Sequence, residues 1–86
     1  MTGGIAAVEG ISVESPFTAD TFGVNTTVSG GGGSSATINV NTDVSGNPTL
    51  YSITNGGTGY AVGNIITVTE VGGAGGVATA RVTAIT

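Results

Sequence analysis

Apolar and polar residues alternate along much of this chain, with the period of a β-strand. Ala36, Ile38 and Val40 stand between Thr37, Asn39 and Asn41, so an extended backbone puts the first set on one face and the second on the other. The longest such run is Val77 to Ile85, where Ala78, Ala80, Val82 and Ala84 share one face and Val77, Thr79, Arg81, Thr83 and Ile85 the other. Leu50 to Thr54 and Ile65 to Thr69 predict two more strands, and Ile11-Ser12-Val13 and Val24 to Val28 give weaker signals. Residues 1–10 read as a short strand or an N-terminal arm. Gly, Thr, Val and Asn dominate, and all are poor in helix interiors, so no helix is predicted. The pattern predicts an all-β fold, a small β-sandwich or barrel-like module, in a single domain over 1–86.

Turn chemistry separates the strands. Ser45-Gly46-Asn47-Pro48 predicts a turn, because Gly and Asn tolerate positive φ and Pro fixes the exit. Asn55-Gly56-Gly57-Thr58-Gly59 predicts a tight loop, and the runs Gly30 to Gly33 and Gly72 to Gly76 are glycine-rich links. An internal repeat also emerges. Ala36-Thr37 and Val40 match Ala78-Thr79 and Val82 at an offset of 42, and Gly30-Gly31 and Gly33 match Gly72-Gly73 and Gly75 at the same offset. Gly23, Thr27 and Val28 match Gly63, Thr67 and Val68 at an offset of 40, and Ile11-Ser12-Val13 then falls on Tyr51-Ser52-Ile53. The chain thus reads as two degenerate copies, 7–46 and 47–86, with the second better formed. The period lies in the range of repeat architectures.

Composition narrows the function. A chain of 86 residues supports at most one thin core, and small scaffolds add disulfides, a metal or a partner subunit. With no Cys and no His, oligomerisation is the support that remains. Charged residues make up 7% of the chain and the net charge is −4, which argues against nucleic acid and against anionic membranes as partners. No apolar run approaches the ~18 residues of a membrane helix. The start Met1-Thr2-Gly3-Gly4-Ile5 lacks the basic region of a signal peptide, so synthesis in a cytoplasm without cleaved export is expected. Strand edges are normally guarded by Lys, Pro or bulges. This chain has no Lys and two Pro, and its short, Gly-flanked strands predict edges covered by neighbouring subunits.

Tyr51-Ser52-Ile53-Thr54-Asn55-Gly56-Gly57-Thr58-Gly59-Tyr60-Ala61-Val62-Gly63-Asn64, followed by Ile65-Ile66-Thr67-Val68 and Ala78-Thr79-Ala80-Arg81-Val82, resembles a Gly-rich β-module of bacteriophage structural proteins. That module runs N-G-G-[ST]-G-Y, V-G-[DN], an I-T-V strand, a Gly-rich loop and an alternating last strand. The resemblance covers 50–86 well and 11–42 only in degenerate form, since Ser15-Pro16-Phe17-Thr18 stands where the glycine loop should be. It implies a virion component: a capsid decoration or cement protein, or a tail-fibre or baseplate element. For the hairpin loop Asn55, Gly56, Gly57 and Gly59, the glycines allow the turn. Tyr60 behind them is read as a plug over the hairpin, with a ligand-stacking platform as the alternative.

Residues for chemistry are few. Without His, Cys or Lys, nucleophilic triads and Lys-based catalysis lack a base, and the five scattered acids show no paired spacing, so no catalytic residue and no cofactor are expected and the chain is not read as an enzyme. Asn39, Asn41 and Asp43 have the spacing of a calcium-loop start, but Val44 replaces the required Gly and no Glu closes the loop, so no metal is expected either. Gly73-Ala74-Gly75-Gly76-Val77-Ala78 formally fits a dinucleotide fingerprint, but a predicted strand follows it where a helix is needed. Arg81, the only cation, is either solvated or fixes an interface through a salt bridge. The reading is a capsid cement protein of the virion surface, expected as a homotrimer bound across junctions of the major capsid protein. Phe17, Phe22 and Arg81 are candidate interface residues, and the segment through Phe22 is the candidate arm toward the shell. A tail component and a host- or carbohydrate-binding module are the alternatives.

Overall fold

The structure is a computed structural model and describes residues 2–86. It is all-β. Six strands follow in order, β1 (Ile5–Ser15), β2 (Val24–Gly30), β3 (Thr37–Thr42), β4 (Pro48–Asn55), β5 (Ile65–Glu70) and β6 (Val77–Ile85). They form one antiparallel sheet in the order β1-β6-β5-β2-β3-β4. The sheet curls until its edge strands β1 and β4 face each other, giving a nearly closed barrel of 38 × 19 × 16 Å. Exchanging the first three strands with the last three turns the strand order into its own reverse.

The core follows from alternation. In β3 Ile38, Val40 and Thr42 point inward, in β5 Ile66, Val68 and Glu70, and in β6 Ala78, Ala80 and Val82. Small Ala side chains at the centre of β6 let the opposite wall approach, and β-branched residues fill the space between. β2 is shared between the two halves of the sheet. Val24 and Asn25 pair with β3, and Thr26 to Gly30 pair with β5. At the handover the buried Thr26 hydroxyl donates to the Ile38 carbonyl at 2.6 Å, and so serves an acceptor beside the point where the β2–β3 ladder ends.

Of the two readings of the N-terminal segment, the strand holds and the arm does not: residues 5–15 form an eleven-residue strand paired with β6 along its length. The edges also carry guards within the chain. The β1–β6 register slips where Ala6, Ile11 and Glu14 are inserted on the β1 side, and such bulges twist an edge away from foreign strands. The other edge strand opens with Pro48, which has no N–H to offer.

Candidate interaction surface

The antiparallel order sends the connections 16–23, 43–47 and 71–76 to one end of the barrel, and 31–36, 56–64, residues 2–4 and Thr86 to the other. The two ends differ in construction.

At the second end the loop Asn55–Tyr60 ties the barrel shut. Asn55 Oδ1 accepts the Gly57 N–H at 2.9 Å, shaping the turn. Gly56 O accepts Ile5 N–H at 2.7 Å, and Tyr60 exchanges backbone bonds with Gly3 at 2.8 and 2.9 Å. Gly57 has φ +67°, and a side chain there would collide with Ser34 O and with Ala36 N, the latter 2.6 Å away. Gly59 also takes a positive φ, +82°. Tyr60 is the largest fully buried side chain. Its ring is packed by the Gly30–Gly33 run, where a Cβ on Gly33 would come within 2.6 Å of it. A ring enclosed in this way offers no stacking face to a ligand.

The first end is locked by polar groups and topped by apolar ones. Phe17 is buried against Gly76, and its N–H donates to Gly46 O at 2.9 Å. It is therefore a core residue and not the surface contact anticipated, because the 16–23 connection folds across the barrel end. Asp20 N–H donates to Asp43 O at 2.7 Å and Thr42 N–H to Thr21 O at 2.9 Å, holding that connection against the end of β3. Glu70, at an inward position of β5 and 8% exposed, accepts from Thr18 N–H at 3.1 Å, Thr18 Oγ1 at 2.5 Å and Gly76 N–H at 3.2 Å. Burial alone raises its pKa, but the Thr18 hydroxyl and the N–H groups of Gly76, Thr18 and Ala74 outweigh burial and hold the carboxyl below its ordinary value. A sequence signal for this site existed: an acid in register with Ile66 and Val68, followed by glycines whose backbone can turn its donors inward.

Above this lock Phe22 is 84% exposed, Val44 80% and Val71 59%. All three stand on the connections of this end, and Asp20 and Asp43 stand beside them in the chain. Asp43 is a structural acid, since its Oδ1 accepts from Ser45 and Asn47 N–H, both at 2.9 Å. Asn41 Oδ1 accepts from Gly23 N–H at 3.0 Å. Among the described residues no three His, Cys, Asp or Glu side chains come together.

Arg81 lies away from both ends. It pairs across strands with Glu9 at 2.9 Å, each side chain about half exposed. The contact joins β6 to β1 within the chain, so the guanidinium is already engaged. Of the aromatics, Phe17 and Tyr60 are buried, Phe22 stands at the loop end, and Tyr51 lies half-buried beside β1. The exposed ones share no groove, which leaves a glycan-stacking platform without its second ring. No protein-family model, no curated protein and no solved structure matches the chain.

Proposed function

We propose that this chain is a structural protein of a phage virion, a capsid decoration or cement subunit that binds the shell through its apolar loop end and carries no catalytic activity. The observation that carries the reading is the exposure of Phe22, Val44 and Val71 on the loops of one end. Exposed apolar patches mark interaction sites, and these three residues stand on the loops of one barrel end, above a locked framework whose loops lose little entropy on docking. The mechanism is mechanical. Apolar tips bury against the major capsid protein, and several such contacts in a homotrimer act together through effective concentration. The likeness of Asn55–Asn64 and the strands after it to the phage β-module supports the same class. The subunit would be made in the host cytoplasm and reside on the capsid surface.

The test is co-sedimentation with phage capsids stripped of their surface proteins. The wild-type chain is expected to pellet with the shells to saturation, and Phe22→Ser combined with Val44→Ser to stay in the supernatant with an unchanged melting temperature. Equal pelleting of the variant, or none by the wild type, overturns the reading.

A further inference from the structure

The edge strands of the sheet are tied together through one short stretch of backbone. Ile5 N–H donates to Gly56 O at 2.7 Å, and Gly56 follows Asn55, the last residue of β4. A side chain at 56 would meet Ile5 O at 2.7 Å and Ile5 N at 2.9 Å, so the approach of β1 leaves room for glycine alone. The turn selects the residue before it. Asn55 Oδ1 accepts Gly57 N–H, a bond that needs a short side chain ending in an acceptor. Closure of this fold thus sets an asparagine directly before a glycine. In that pairing no Cβ shields the next backbone nitrogen from the asparagine side chain.

We infer that Asn55-Gly56 is a self-modification site, where the chain converts its own Asn55 to isoaspartate and so unties β1 from the end of β4. Solvent base takes the Gly56 amide proton, and the nitrogen attacks Asn55 Cγ. The N–Cγ bond forms, the Cγ–Nδ2 bond breaks, and ammonia leaves with a proton from solvent. Water then opens the five-membered imide. Cleavage at Cγ gives aspartate, and cleavage at the main-chain carbonyl gives isoaspartate. In sum one water enters, one ammonia leaves, and nothing is oxidised or reduced.

The site suits this chemistry. Asn55 is exposed, so water and base reach it. Gly56 N–H has no hydrogen-bond acceptor among the described residues, so the attacking nitrogen is not held. Gly57 N–H already points at Oδ1 and stabilises the charge that develops there as Cγ is attacked. Attack requires the Asn55–Gly56 peptide to turn out of the extended strand, and so runs from the locally opened form of the closure. Isoaspartate adds a methylene to the main chain between Asn55 Cα and Gly56 N. Gly56 O is then displaced from Ile5, and the closure cannot re-form. The five other asparagines precede Thr, Val, Thr, Pro and Ile, whose side chains or ring crowd or replace the attacking N–H. The matching corner of the first copy, Ser15-Pro16, has neither the amide nor the N–H and cannot cyclise.

The experiment holds the purified full chain at body temperature in mildly alkaline buffer. It follows intact mass, peptide maps and hydrogen exchange at Ile5. Each chain is expected to exchange one ammonia for one water, at Asn55 alone, with isoaspartate as the larger product and a rate that rises with hydroxide. The isoaspartate chains should lose amide protection at Ile5 and melt at a lower temperature. Asn55→Asp, which carries the charge without the added methylene, should keep that protection, and Asn55→Ser should keep its mass. An unchanged mass after a urea-unfolded sample has fully converted would overturn the inference. So would earlier conversion at another asparagine, or isoaspartate chains whose Ile5 amide stays protected. None of these outcomes bears on the shell reading, since this closure and the apolar loops lie at opposite ends of the barrel.

Discussion

Replacing Glu70 with alanine removes the carboxylate that ties the 16–23 connection to the β5–β6 loop. Three donors converge on it, two from Thr18 and one from Gly76, at a site only 8% exposed. The substitution leaves Thr18 N–H and Gly76 N–H without an acceptor, and each stranded buried donor costs about 1–3 kcal/mol. Freed loops recover part of that by meeting water, so the expected loss is about 2–4 kcal/mol. Domains hold roughly 0.05–0.15 kcal/mol per residue, so this is a large share of the total for a chain of this size. The melting temperature followed by circular dichroism should fall by roughly 10–25 °C.

Glu70→Gln separates charge from shape. The carboxyl is held below its ordinary value in the folded chain. Its stabilising contribution is therefore complete above the unfolded pKa of about 4.3 and is lost as pH falls through the lower folded value. The glutamine variant lacks that term, so its stability should fall less steeply than the wild type's below about pH 4. Urea unfolding at several pH values measures both effects. An alanine variant within about 0.5 kcal/mol of wild type, the range of an ordinary surface change, would refute the reasoning, as would a glutamine variant with an undiminished acid slope.

Other substitutions probe the remaining joints. Gly33→Ala drives a methyl into the Tyr60 ring and should cost about 1–3 kcal/mol by overpacking, read as a lower urea midpoint; an unchanged midpoint would mean that the plug is loose. Thr26→Val keeps the shape but strips the hydroxyl from the Ile38 carbonyl, and urea unfolding should show a loss of about 1–3 kcal/mol. Arg81→Ala breaks a half-exposed pair with Glu9 and should change stability by at most about 1 kcal/mol, a difference that vanishes in high salt; a loss of several kcal/mol would mean that the pair does more than join two strands.

The regular strands were legible because their alternation is uninterrupted. β3 and β5 each keep one inward set through the whole element, and β6 keeps its own from Ala78 to Val82. β1 was visible only around Ile11–Val13, since the insertions at Ala6, Ile11 and Glu14 each shift the alternation by one residue. Phe17 read as a surface aromatic because its segment departs from the phage-like loop; a fold across the barrel end cannot be seen from local spacing. Glu70 did not stand out among the scattered acids because its main partner, Thr18, lies 52 residues away in the chain. Exposure at Val44 and Val71 likewise depends on which loops the topology gathers at one end. The seam between β1 and β4 exists only once the sheet has curled.

The most direct test of shell decoration is multi-angle light scattering of the purified chain, alone and with stripped phage capsids. The account predicts a particle of three chain masses alone, and shells that gain mass up to a plateau in fixed ratio to their major capsid subunits. A well-folded monomer that leaves the capsid mass unchanged would contradict it.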